Sequence, residues 1–295
     1  MEIQLLSQEK INKRAIIPVI LCAGKGTRLE KLTKKVPKPL IRLKSLNNNS
    51  ILSYLIKNLI NLQVNTIVLI TGHLNEKIEA FVNCFIEDNR EFQGVLTLIH
   101  SGSDYEKGPL YSLLSLIQNK KIFRDGNIYV ILPGDTIFEK ALLKESFSLI
   151  YENLDIIQSK PCIFFQDMQA GNLINSYKQN KKSITKFISI LDSEDVKKGF
   201  IVKEIRKDDL NSASKEQYIK LVVPILILSY KFIKIFNELS VNNPVGEIRE
   251  ILNIYLQKQT IFPFKLNSKN RFYDIDTLDD LSSFNQIKGK KKGGQ

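Results

Sequence analysis

Short apolar runs alternate with amphipathic stretches through the first half of the chain, and that alternation leaves few folds open. Residues 16–22 form a continuous apolar run of strand length. Ile51, Leu52, Leu55, Ile56, Leu59 and Ile60 then recur at helical spacing. Residues 66–70 are rich in β-formers and stop near Gly72, and residues 76–85 return to a helical pattern. Residues 96–100 and 128–132 read as strands, the second stopped by Pro133-Gly134, with a helix over 110–117 between them. Strands interleaved with helices predict βαβ units and a mostly parallel sheet. Ligands in such sheets bind beyond the carboxyl ends of the strands. The residues just after Cys22, Gly72, His100 and Leu132 are therefore the places to look.

The second half is less regular. Strands are predicted over 162–166, 200–205 and 221–229, helices over 232–239 and 245–256, and polar loops over 167–182 and 207–217. No linker forces a boundary in this 295-residue chain, so one domain is expected over 15–287, with an extension at 1–14 and a basic tail at 288–295. The net charge of +12 draws polyanions in general. Its lysines are spread out, however, and only Lys288, Lys290, Lys291 and Lys292 form a run, which reads as a solvated tail.

Three scattered cysteines and two histidines give neither a disulfide framework nor a zinc-ligand spacing. Residues 1–14 lack an apolar signal core, and the longest apolar run, 221–228, is far short of the ~20 residues of a membrane helix. A reduced, cytoplasmic protein without a membrane span is expected.

Three motifs carry chemistry. The first, LCAGKGTRLEKLTKKVPKPL at 21–40, runs a buried strand into Gly24-Lys25-Gly26-Thr27-Arg28. Glycines let backbone amides approach an anion closely, and Lys25, Arg28 and Lys38 add positive charge. Pro37 and Pro39 stiffen the backbone around Lys38. Leu29 stands where a dinucleotide fingerprint has its third glycine, and the Ser/Thr of a Walker loop is missing. In the second motif, Asp135 follows a buried strand and Pro133-Gly134, where a carboxylate can hold Mg²⁺ or simply close a turn. In the third, DIDTLDDL at 274–281, Asp274 and Asp276 point the same way if extended, while Thr277 and Asp280 fit a capping-box variant.

Together, AGKGTRL with VPKPL, GDTIF at 134–138 and FYDIDTLDDL at 272–281 resemble the signatures of the sugar-phosphate nucleotidyltransferases, a group with phosphocholine cytidylyltransferase-like members. The motifs come in the family's order across residues 15–287. The departures are a Cys22-Ala23-Gly24 entry one small residue shorter than usual, Phe272 and Leu278 in the closing motif, and no E-K-P motif near Lys203 and Arg206.

The resemblance implies an α/β, Rossmann-like (GT-A-like) three-layer domain with a twisted, mostly parallel mixed sheet. It implies Mg²⁺-dependent transfer of NMP from an NTP to a phosphomonoester, most simply a sugar 1-phosphate, with release of pyrophosphate. Leu21, Ala23, Gly24, Lys25, Gly26, Thr27 and Gly108 would bind nucleotide, Arg28 and Lys38 would be catalytic, Gly246 and Glu247 would lie near the acceptor, and Asp135, Asp274 and Asp276 would hold Mg²⁺. The expected partners are an NTP and a small phosphorylated metabolite, with no nucleic acid; oligomers are left open. Three alternatives stand beside this reading: a cytidylyltransferase for phosphocholine or another small alcohol phosphate, a GT-A glycosyltransferase, and a non-catalytic regulatory relative.

Overall fold

The computed structural model describes residues 15–173, 187–196, 199–209, 214–282 and 284–285. The expected extension at 1–14 and the tail at 288–295 lie outside them, as does most of the 167–182 loop.

Among the described residues the main sheet has nine strands. β1 (Ile16–Leu21), β2 (Ile67–Thr71), β3 (Leu96–His100) and β4 (Ile128–Pro133) are its parallel half, ordered β4-β1-β2-β3. β5 (Thr136–Phe138) leaves the sheet directly after β4. On the far side of β4, β9 (Tyr218–Ser229) runs antiparallel to both β4 and β6 (Cys162–Gln169), and β10 (Phe262–Lys265) closes that edge parallel to β6. β7 (Phe187–Val196) and β8 (Gly199–Asp209) form a hairpin joined to β9 at Ile190 and Leu221. β11 (Phe272–Asp274) pairs antiparallel with β5 in a separate ribbon.

Side chains alternate between the faces of each strand, and the packing follows that period. Ile128, Val130 and Leu132 of β4 face one core, while Tyr129 and Ile131 face the other. After the single turn α1 (Glu30–Thr33), the helices α2 (Ile51–Ile60) and α3 (Asn75–Asp88) cover the first face. α4 (Pro109–Leu114) lies on the second face, and α5 (Lys140–Glu152) and α6 (Leu154–Ser159) return to the first. α7 (Tyr230–Asn242) and α8 (Ile248–Leu256) complete the second. The result is the three-layer α/β fold expected from the alternation. Ser50 caps α2, its hydroxyl accepting from the Ser53 amide at 3.0 Å.

Two expected loops are partly strand. β6 runs on to Gln169 and β8 to Asp209, because antiparallel pairing with β9 and β7 respectively satisfies backbone groups that polar side chains alone left unassigned. The helix expected from residue 245 starts at Ile248, since Gly246 is taken up in a turn against another segment.

A small third core positions the chemistry. Leu29, Ile41, Leu43, Ile137, Ile275 and Phe284 pack together, and all are at least nine-tenths buried. Each motif has a residue in this cluster or beside it: Leu29 follows Arg28, Ile137 lies two past Asp135, and Ile275 sits between Asp274 and Asp276.

Candidate active site

The chain leaves β1 to one side through β2 and β3, then returns to the other side as β4. The crevice at the carboxyl ends of β1 and β4 is therefore the switch point where ligands of such sheets bind. Gly134 donates its amide to the Leu21 carbonyl at 2.9 Å, tying the two exits together. A Cβ at Gly134 would come within 2.8 Å of Cys22 Sγ and 2.9 Å of the Leu21 carbonyl oxygen. Only glycine allows so close a packing of the two loops.

Within the first loop, Gly26 has a φ of 62°. Its carbonyl accepts from the Thr33 hydroxyl at 2.9 Å and from the Leu29 amide at 3.0 Å, closing the loop onto α1. The position of a Gly26 Cβ would be 3.3 Å from Lys38 Cβ, so the loop lies directly on the Lys38 segment. A Cβ at Gly24 would meet open space. The one-turn α1 was not expected; a helix had been anticipated only from about residue 50.

Lys38 is the centre of the site. Its ammonium donates to Asp135 Oδ2 at 2.6 Å and to Asp276 Oδ1 at 2.7 Å. Arg28 donates to the other Asp276 oxygen at 2.8 Å. Burial by itself would pull the Lys38 pKa down, but the charges and hydrogen bonds of Asp135 and Asp276 outweigh it and hold it above the ordinary lysine value. Asp274 faces Thr136 across the β5–β11 ribbon and accepts the Thr136 hydroxyl. The structure thus brings Arg28, Lys38, Asp135, Asp274 and Asp276 together from segments far apart in sequence.

The capping reading of the third motif holds as well. Asp280 accepts from the amides of Asp276 and Thr277 at 3.0 and 2.9 Å, and Thr277 Oγ1 accepts from the Asp280 amide at 3.2 Å. This reciprocal pair fixes the backbone just after Ile275.

A second cluster flanks the loop. Lys25 donates to Glu106 at 2.9 Å and lies 5.7 Å from the Tyr105 ring centre. Tyr105 in turn packs on Gly72, where a Cβ would be 2.7 Å from its ring. Gly108, with a φ of 122°, meets Gly246 backbone to backbone, and the Gly246 carbonyl accepts from the Leu110 amide at 2.9 Å. Glu247 caps α8 in a reciprocal box with Glu250 and also lines the adjoining cavity. That cavity has a volume of about 380 Å³ and opens beside Leu21, Pro133 and Asp274. Lys203 pairs with Glu194 and Arg206 with Asp208 along the β7–β8 hairpin, so both have protein partners on a solvated edge.

Sequence reasoning missed Thr136, Tyr105 and Glu106 as parts of this region. Thr136 directly follows Asp135, but its pairing with Asp274 across 138 positions has no local signal.

A family profile described as nucleotidyl transferase matches residues 17–152. A Methanocaldococcus jannaschii protein provisionally named as a UTP–glucose-1-phosphate uridylyltransferase is 27% identical over 281 residues, covering 89% of this chain and 88% of its own. The bifunctional protein GlmU of Methanococcus maripaludis is 31% identical over 124 residues, covering 42% of this chain; the match spans only 26% of GlmU's length. Among solved structures, a UDP-glucose pyrophosphorylase complexed with UDP-glucose superposes with a TM-score of 0.65 at 14% identity, over 95% of this chain and all of that one. The CTP:phosphocholine cytidylyltransferase of Streptococcus pneumoniae gives 0.62 at 16% identity, over 92% and 99%. These likenesses show the same fold, and the three motifs meet at the switch point of that fold.

Proposed function

We propose that this protein is a nucleotidyltransferase that moves NMP from an NTP to a sugar 1-phosphate and releases pyrophosphate, with residues 15–287 as one catalytic unit. The observation that carries the reading is the convergence of Lys38, Asp135 and Asp276 at the β1/β4 switch point, beside a cavity large enough for a small acceptor. The names of the uridylyltransferase and pyrophosphorylase relatives agree with this acceptor class.

The acceptor phosphate is already ionised near neutral pH, so its oxygen can attack the α-phosphorus without a general base. The bond from the α-phosphorus to the bridging oxygen breaks, and pyrophosphate leaves with the electron pair. The protein's part is positioning and charge. Gly24 and Gly26 would let the loop backbone approach the β- and γ-phosphates, and Lys25, Thr27 and Arg28 of the same loop would add charge and a hydroxyl donor. Lys38 supplies positive charge between the acceptor phosphate and the α-phosphate, where negative charge grows in the transition state. In this reading Leu21, Ala23 and Gly108 would bind the nucleotide, and Gly246 and Glu247 would lie near the acceptor.

A divalent cation fits the carboxylates. One oxygen of Asp135 and one of Asp276 already converge on a single cationic nitrogen, and both side chains remain about one-third exposed, at 35% and 37%. No group of three or more His, Cys, Asp or Glu gathers among the described residues. One or two carboxylates completed by substrate phosphates is the usual mode for Mg²⁺. Asp135 and Asp276 would hold it, with Asp274 beside them, and when bound it would neutralise charge at the α-phosphate.

A small alcohol phosphate such as phosphocholine is the second reading. The cavity floor favours it, being built from Ile163, Leu221, Val223 and Ile225. No helix among the described residues is long and apolar enough to cross a membrane.

The test is pyrophosphate release from each of four NTPs against a panel of phosphomonoesters. A glycosyltransferase would release none and would consume a finished nucleotide sugar, and a regulatory relative would turn over neither.

A further inference from the structure

We propose that Lys38 is a resident cation of the metal site: it holds the slot between Asp135 and Asp276 until a divalent cation binds there, and then swings onto the substrate phosphates. This rests on the nucleotidyl-transfer reading above.

The Lys38 side chain is only 8% exposed, whereas its two partners are 35% and 37% exposed. The ammonium therefore sits deeper than the carboxylates that grip it. Contacts of 2.6 and 2.7 Å are at the short end for charge-assisted hydrogen bonds. Such a grip keeps two neighbouring carboxylates from repelling each other in the substrate-free protein. A divalent cation and an ammonium cannot share that slot, because like charges at contact distance repel strongly in a partly buried site.

Charge counting gives the direction of the exchange. Without substrate, Asp135 and Asp276 are balanced by Lys38 and Arg28, which both pair with Asp276. A divalent cation on the two carboxylates balances them alone, so Lys38 and Arg28 are released together. The nearest anionic destination is the phosphate chain over Gly24 and Gly26. The Lys38 backbone stays fixed by its flanking prolines and by its contact with Gly26, so the side-chain torsions carry the movement. The cation and the NTP should accordingly bind synergistically, since the nucleotide receives the ammonium that the cation displaces.

The experiment is Mn²⁺ binding to the full chain, followed by electron paramagnetic resonance, with and without NTP and with no acceptor. Wild type should bind Mn²⁺ weakly alone and much more tightly with NTP. Lys38→Met and the more polar Lys38→Gln, each checked for native melting, should bind Mn²⁺ alone about tenfold more tightly than wild type, because removing one partner leaves buried charge uncompensated. Asp276→Asn should weaken binding. Unchanged or weaker Mn²⁺ binding in a folded Lys38 variant overturns the proposal, as does unchanged binding in Asp276→Asn or the absence of synergy in wild type. None of these readouts needs turnover. A failed exchange thus leaves nucleotidyl transfer standing, and a failed pyrophosphate screen leaves the Mn²⁺ result standing.

Discussion

Gly246 lies on Gly108 with no room for a side chain on either. A Cβ on Gly108 would be 2.5 Å from the Gly246 carbonyl oxygen, and a Cβ on Gly246 would be 2.4 Å from the Lys107 carbonyl oxygen. The contact joins the turn before α4 to the turn before α8, and so fixes the two segments against each other. Gly108→Ala and Gly246→Ala should each cost about 1–3 kcal/mol, Gly108→Ala the more because its φ of 122° disfavours any side chain. The two costs should not add: the double variant should be more stable than their sum by about 0.5–3 kcal/mol, since both report one contact. Urea melts of the three variants check this; strict additivity would mean that the contact is not the source of the cost.

Asp135→Ala should abolish pyrophosphate release in a chain that still folds. The side chain is one-third exposed and lies at a strand exit, and Lys38 keeps Asp276 as its second partner, so the cost falls on the site rather than on the core. Retained turnover in the folded variant would remove Asp135 from the cation site.

Ile275 is 1% exposed and sits between Asp274 and Asp276. Truncation to Ala should cost about 2–5 kcal/mol by the usual sum of lost transfer energy and residual cavity. Because the same small core holds Leu29 and Ile137, turnover should fall even where the variant is fully folded. Comparing kcat at a temperature well below the melting point separates the two effects. Full activity there would show that the small core does not position the carboxylates.

Cys22 and Cys162 are buried and Cys84 is exposed. Burial pushes both buried thiols up, Cys162 to about 12, and the charge of Asp135 adds to the effect at Cys22. Iodoacetamide at pH 8 should therefore modify Cys84 alone in the native chain and all three after unfolding, as mass spectrometry can count. The sign of the linked pH effect follows. Above the ordinary thiol value of 9.0 the unfolded chain releases protons that the folded chain keeps, so stability should fall as pH rises past about 9. Replacing both buried cysteines by Ala should flatten that decline; an unchanged slope would assign it to other groups.

What could be read from the sequence was what local chemistry determines. β1 to β4 and their helices came from hydrophobic period alone, because β1, β2 and β4 are buried on both faces and the helices on one. The crevice after Cys22 and Leu132 followed from chain order. The antiparallel half was less legible: β6, β8 and β9 carry polar residues into their outer ends, and only pairing between strands makes those ends extended. The aspartates were visible as motif residues, but their partners were not. Nothing near Asp276 in the chain announces that Arg28 and Lys38 share its two oxygens, or that Asp274 faces Thr136. The polar Lys203 and Arg206 were equally ambiguous until the hairpin supplied their carboxylates.

The β5–β11 ribbon also sets a schedule for biosynthesis. Lys38 and Asp276 are 238 positions apart. At roughly 5–20 residues per second, a ribosome needs about 10–50 s between making the lysine and making the carboxylate that steadies it. During that interval the parallel half can already be assembled around β1 to β4, with its glycine loop formed and its lysine gripped by Asp135 alone. A chain stalled before residue 270 would be a nascent protein with the first two motifs but without the third. Competence thus arrives in one late step, when the last ribbon strand docks.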